Sequence, residues 1–383
     1  MALTTVSSDR LSTNVKNTNF TAAEKQDLTD DILPLAGQLS NRNKIINGAM
    51  AVHQRSSSVT GITSSGYYTA DRWGLSRNVG TWTNTISTDT PDGFADSYKL
   101  DCTATGTPAA NEILIFYQVI EGQNLRDFAK GTSSAKQFSV SFNIKTNKTG
   151  TYILELYDAD NNRQVSQSYT VSNTNWNRYT VTFPADTTGA FGNDNGQSLY
   201  LQWWLAAGSN FKSGTLNTSW ANAVTANRVV GLDVNLADNT SNEWLITGVQ
   251  LEVGSVVTDF ENLSYADELR RCQRYYYVLG SGSDIADESI GNGRGWSSSQ
   301  MELTVEFPVV MRTTPSLLYS TGTNYYQWRN SGNERFTDSL QFANVTPRHG
   351  IIYKTGMSGL NTGDAYRVQL GNSSAYVHFN AEL

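Results

Sequence analysis

The sequence predicts a mainly β protein: an N-terminal anchor segment, a jelly-roll β-sandwich, a short helical joint and a distal small β-sandwich. Three observations lead there. Apolar and polar residues alternate over many short runs, the pattern of strands with one buried face. Clusters of Gly, Asn, Asp and Ser punctuate those runs as turns do. Helical periodicity is strong in one short stretch, near residue 270.

Residues 1–43 are polar and short of aromatics. Thr21 and Glu24 have capping-box spacing, and Leu28, Ile32 and Leu35 give a modest apolar face that Pro34 cuts short. So little apolar surface does not fold alone. The segment is either a disordered tail or an anchor that orders only against another protein or against sister copies, and the anchor is the favoured expectation.

Residues 44–263 read as one large sandwich. Ile113 to Ile120 is a buried strand. Phe138, Val140, Phe142 and Ile144 alternate with polar residues, as do Tyr152, Leu154 and Leu156, and Tyr179, Val181 and Phe183. In the run 198–205, Leu201, Trp203 and Leu205 fall on the core face. Tyr200, Gln202 and Trp204 fall on the other: two rings flanking an amide, suited to stacking on sugar C–H surfaces and reading hydroxyls. The alternative is that Trp204 lies under a loop such as 208–226 or under a neighbouring subunit. Val249, Leu251 and Val253 alternate with Gln250 and Glu252 in a closing strand. Glu252 is open to a loop, a calcium ion or solvent.

Residues 264–276 are the helical joint. Ser264 is a natural N-cap, with Asp267 three residues on. Tyr265, Leu269, Cys272 and Tyr276 share one face. Such a stripe must pack either on its own domains or on symmetry mates around a three-fold axis; a homotrimer interface is the favoured expectation. Residues 277–383 form the second β region, with Met301, Leu303, Val305 and Phe307 alternating against Glu302, Thr304 and Glu306. Loop 280–300 and region 320–338 are expected to carry recognition residues. Arg294, Trp296, Tyr325, Tyr326, Trp328 and Arg329 are the candidates, although Tyr325 and Tyr326 cannot both face outward from one strand.

Four segments, in order, carry a resemblance. They are Lys44-Ile-Ile-Asn-Gly-Ala-Met50 with Tyr68-Thr-Ala-Asp-Arg-Trp73; Gly248-Val-Gln-Leu-Glu with Cys272-Gln-Arg-Tyr-Tyr-Tyr277; Phe307-Pro-Val-Val-Met-Arg-Thr-Thr-Pro315; and Asn380-Ala-Glu-Leu383. Together they span about residues 44–383, and the set resembles bacteriophage tail-fibre and minor virion proteins. The resemblance implies a carbohydrate-binding-module-like jelly roll with a distal β domain, in a non-enzymatic homotrimeric fibre. Its partners would be its own copies, other virion proteins of tail, baseplate or capsid, and a host surface glycan or protein. Its place would be the virion tail, after synthesis in the host cytoplasm. The alternatives are a capsid-surface fibre or decoration protein, or a polysaccharide-degrading tailspike.

Composition narrows the classes. Net charge is −7 with no basic block, which argues against nucleic-acid binding. No apolar run reaches membrane-spanning length, so no membrane insertion is expected. The two cysteines, Cys102 and Cys272, fit buried free thiols better than a disulfide framework. Three scattered histidines lack partners at metal-ligand spacing, so neither metal nor cofactor is expected. No nucleophile elbow, phosphate loop or pair of carboxylates placed for glycan hydrolysis is recognisable, so the expectation is not an enzyme.

Overall fold

The computed structural model describes residues 41–282, 287–331 and 333–383. Lys44–Leu383 pack as one compact unit. The expected anchor residues Leu28, Ile32 and Leu35 lie outside the described residues.

The first half is an antiparallel sandwich. Its early strands are Ser58–Ile62 (β1), Gly66–Tyr67 (β2), Gly74–Arg77 (β3), Thr81–Ser87 (β4), Ser97–Ala104 (β5) and Ile113–Glu121 (β6). Then come Phe138–Thr146 (β7), Gly150–Asp158 (β8), Arg163–Val171 (β9), Asn177–Phe183 (β10), Gln197–Ala207 (β11), Ala221–Asn222 (β12) and Glu243–Val253 (β13). One sheet runs β1-β4-β5-β13-β7-β10, the other β12-β9-β8-β11-β6-β3-β2. Between them Trp73 stacks on Phe116 at 4.7 Å, and Trp203, Trp244 and Phe142 close around that pair, all fully buried. Burial of large rings like these is the main favourable term holding the sheets together.

The closing strand β13 bends where its pairing with β7 slips between Thr247 and Gln250. Gly248 sits in that bulge at φ +64°, a conformation open to glycine but strained for other residues. Beyond the bulge, Gln250 and Glu252 fold the next loop back onto the strand. Glu252 accepts from the Thr258 backbone N–H at 3.0 Å and from its hydroxyl, and Gln250 accepts from the Glu261 N–H at 2.7 Å. The Glu252 carboxylate is therefore a loop clasp.

One α-helix follows, Tyr265–Gln273 (α1), with Ser264 Oγ accepting from the Asp267 N–H as its cap. The trimer expectation loses its physical basis here. Cys272 is fully buried, Tyr276 is 5 % exposed, and Leu269 is half-buried. Cys272, Leu269 and Tyr275 pack with Ile46 and Val52 of the same chain. Cys272 and Leu269 are thus covered by Ile46 and Val52 of the chain's own 45–52 segment, Tyr276 by Arg55 and His378, and of the four only Tyr265, 61 % exposed, remains open. That segment is fastened by Asn47, whose side chain brackets Val52 and the Asp71 carbonyl while its backbone N–H donates to Glu268 of α1 at 2.7 Å.

The second half adds Tyr276–Ser281 (β14), Ser289–Ser297 (β15), Gln300–Glu306 (β16), Ser316–Tyr319 (β17), Tyr326–Asn330 (β18) and Asn333–Thr337 (β19). Gln341–Ala343 (β20), His349–Thr355 (β21), Ala365–Leu370 (β22) and Tyr376–Asn380 (β23) complete it. They form a three-stranded sheet, β14-β23-β17, and a seven-stranded one, β19-β18-β22-β15-β16-β21-β20. Much of the expected loop 280–300 is strand β15, paired on both sides by β22 and β16.

The two halves meet through buried charge. Glu382 takes Arg55 at 2.9 Å and also Arg72, whose side chain is 1 % exposed. Arg72 lies 3.5 Å from the Tyr275 ring centroid and donates to the Val119 carbonyl at 2.6 Å. Glu121 binds Arg274 through both oxygens at 2.8 Å, and Arg312 donates to the carbonyls of Asn195, Ala381 and Glu382. Buried pairs of this kind are costly to break from one side.

Candidate functional site

The outward face of the β12-to-β2 sheet carries a row of tyrosines. Antiparallel register puts opposed residues on one face, and four pairings build the row: Tyr200 with Tyr157, Gln202 with Tyr117, and Gly74 with both Tyr117 and Tyr67. The ring centroids of Tyr157–Tyr200, Tyr200–Tyr117 and Tyr117–Tyr67 are 5.9, 6.2 and 6.0 Å apart. All four rings are half-buried, held at one side and open at the other. The row crosses four strand spacings, from β8 to β2, or about 19 Å.

Glycine makes the row continuous. A Cβ on Gly74 would stand 2.4 Å from Cζ of Tyr117, so only a residue without one lets that ring lie across β3. Hydroxyl partners then fix the rings: Tyr200 donates to Gln197 at 2.6 Å, Tyr157 to Asn162 at 3.1 Å, and Tyr67 to the Leu383 carbonyl at 3.1 Å. Burial pushes the Tyr67, Tyr117 and Tyr200 phenols upward, so these three are uncharged at neutral pH.

Beside the row lies a charged support. Glu155, fully buried, receives Arg228 through both oxygens at 2.8 and 2.7 Å and the Trp204 indole N–H at 2.8 Å. Arg228 also donates to Gln202 at 2.8 Å and lies over the Trp204 and Tyr157 rings at 4.8 and 5.6 Å. The arrangement offers apolar ring faces edged by phenol and amide groups, with the adjacent Arg228 already neutralised by Glu155.

The sequence-predicted residues divide. Tyr200 is in the row. Trp204 is not a contact residue: it is fully buried, covered by Phe211 of the 208–226 loop at 5.3 Å and by Arg228. Gln202, 8 % exposed, supports Arg228 instead of facing a ligand. Tyr326 and Trp328 are also corrected, because both face the second core and are fully buried. Tyr326 spends its hydroxyl on the carbonyls of Ser320 and Tyr376. Tyr325 is half-buried, and Arg329 is paired with Glu334 at 3.0 Å. Arg294 and Trp296 do stay open on β15, with the guanidinium 4.7 Å over a ring that is 53 % exposed. They lie in the second half, apart from the row.

Tyr67, Tyr117 and Tyr157 were missed. For Tyr117 and Tyr157 a signal existed, since each belongs to the outward set of a strand whose inward set is plain. Tyr67 lies in a two-residue strand, which has no period to read.

No family model matches the chain, and no curated protein matches it. Among solved structures it is similar to a family 11 carbohydrate-binding module from Clostridium thermocellum in complex with a β-1,3-1,4-mixed-linked tetrasaccharide. That match has 11 % identity and a TM-score of 0.26, over 52 % of this chain and 98 % of that one. A family 16 carbohydrate-binding module matches with 12 % identity and a TM-score of 0.23, over 44 % and 84 %. A cyclase from Fischerella sp. TAU matches with 12 % identity and a TM-score of 0.30, over 57 % and 98 %. Scores this low carry no conclusion about ligand or activity.

Proposed function

We propose that this chain is a non-catalytic glycan-binding adhesin of a phage virion, attached through residues 1–43, that lays an extended, uncharged saccharide along the tyrosine row. The observation that carries the binding reading is the row itself: four half-exposed rings, each within about 6 Å of the next, across one sheet face. Ring faces stack on sugar C–H surfaces, and a neutral platform holds no charge for an ionic ligand. The virion assignment is supported by the four ordered sequence segments. The fibre form and three-fold association rest on that resemblance alone, now that the helix stripe is covered. Several copies per particle would multiply weak single-site binding.

Calorimetric titration with neutral oligosaccharides from bacterial surface polysaccharide tests the binding reading. Tyr200→Ala should lower affinity about tenfold, the loss expected for one stacking ring. Equal binding by Tyr200→Ala and the parent would remove the row from the site. New reducing ends during incubation would overturn the non-catalytic assignment, and antibody labelling of particles that finds none of the protein would overturn the virion one.

A further inference from the structure

Tyr67 belongs to two places at once. Its ring ends the row against Tyr117, and it also forms one wall of a groove of about 540 Å³ where the two halves of the chain meet. The opposite wall comes from the outward face of the β14-β23-β17 sheet. Period two along β23 turns Tyr376 and His378 to this face and Val377 and Phe379 to the core. Leu318, paired with His378 across β17 and 37 % exposed, stands at the rim.

The floor is rigid. The Tyr276 hydroxyl and His378 Nδ1 are 2.6 Å apart, and the two residues are 5 % and 8 % exposed. The Tyr376 and His378 rings lie 4.7 Å apart. Arg55 lies 3.7 Å over the Tyr276 ring and 5.4 Å from that of Tyr67. Its charge is not on offer to a ligand. Arg55 pairs with Asp71 at 3.2 Å and with Glu382 at 2.9 Å, and Arg72 completes the set at two cations and two carboxylates. Such a groove presents aromatic walls, an imidazole and phenol groups, and a guanidinium already paired with carboxylates. Its size falls within the range of small-ligand sites, and its chemistry suits a neutral polyhydroxylated ring, not an anion or a cation.

We infer that a saccharide held on the row continues past Tyr67 into this junction groove, where a further neutral sugar residue is enclosed between Tyr67 and Tyr376. This rests on the glycan reading of the row and adds a subsite that neither half builds alone. Binding thereby becomes dependent on the closed junction.

The test is affinity against chain length, using length-graded neutral oligosaccharides from bacterial O-polysaccharide and the full chain. Two groove variants are compared with Tyr200→Ala. Tyr376→Ala removes a wall; Leu318→Arg blocks the mouth from an exposed position whose change does not threaten folding. Short oligosaccharides that fill only the row should bind the parent and both groove variants alike. Oligosaccharides longer than the row should bind the parent more tightly, and both groove variants should lose about tenfold of that gain. If Tyr200→Ala weakens binding while both groove variants match the parent at every length, the groove is not a subsite and the inference falls, with the row intact. If the parent binds no member of the series, or Tyr200→Ala changes nothing, the glycan reading falls and takes the groove with it.

Discussion

Replacing Glu382 by alanine should loosen the junction between the two halves more than any surface change. Glu382 is the carboxylate for two guanidiniums. Arg55 would keep Asp71, but Arg72, with a side chain 1 % exposed, would keep only the Val119 carbonyl and the Tyr275 ring. Burial pulls the Arg72 pKa down, and Glu382, joined by Tyr275, Tyr67 and Cys272, pulls it up again, so that it stands above the ordinary value. Leaving a buried charge without its partner costs about 3–5 kcal/mol, against a total stability of about 5–15 kcal/mol. Urea denaturation at pH 7, followed by tryptophan fluorescence, should show a large fall in midpoint, and limited proteolysis should cut between the halves. A paired change, Arg72→Met with Glu382→Leu, should recover much of the loss, because a well-packed apolar pair escapes desolvation. A loss below about 1 kcal/mol for Glu382→Ala would be the value of an exposed pair. It would mean that water reaches Arg72 and that the junction is held by something else.

Three further outcomes are expected. Gly74→Ala should push the Tyr117 ring off β3 and cut saccharide affinity about tenfold with the fold intact; unchanged affinity in titration would show that Tyr117 is not part of the row. Burial, opposed by Arg55, pushes the Asp71 carboxyl up to about 6 from 3.8, so the folded state binds this proton more tightly than the unfolded one. The linked stability, at most about 3 kcal/mol, is full below about pH 4 and is lost as pH rises through about 6. Melting curves from pH 4 to 7 should show that slope in the parent and not in Asp71→Asn; identical slopes would refute it. Lys130→Met should destabilise the sandwich by about 3–5 kcal/mol in thermal melts, since it strips a buried cation from Asp158 and Asp186; a shift near zero would show the cluster to be hydrated.

Legibility followed locality. The run 198–205 shows its core face in its own alternation, and Trp203 lies where that pattern places it. The Ser264 cap is equally local. The cover over Trp204 by loop 208–226 was readable as an alternative because the loop is a near neighbour in sequence. The row was not readable whole. Tyr67, Tyr117, Tyr157 and Tyr200 meet only through the strand order β8-β11-β6-β3-β2, which no single run encodes. The α1 stripe failed for the same reason: its cover, Ile46 and Val52, lies more than two hundred residues away in sequence. The Gly- and Ser-rich β15 reads as loop by composition, and flanking strands on both sides override that preference.

The Lys130 ammonium sits fully enclosed, within 2.6 Å of Asp158, 3.1 Å of Asp186, and 3.1 and 2.6 Å of the carbonyls of Thr188 and Gly189. Two carboxylates and two carbonyls around one positive centre are the donor set that a hard dissolved cation would choose. Here the positive centre is carried on a side chain. It cannot be stripped by a chelator or diluted away, so the loops it gathers keep their shape in calcium-poor and calcium-rich surroundings alike.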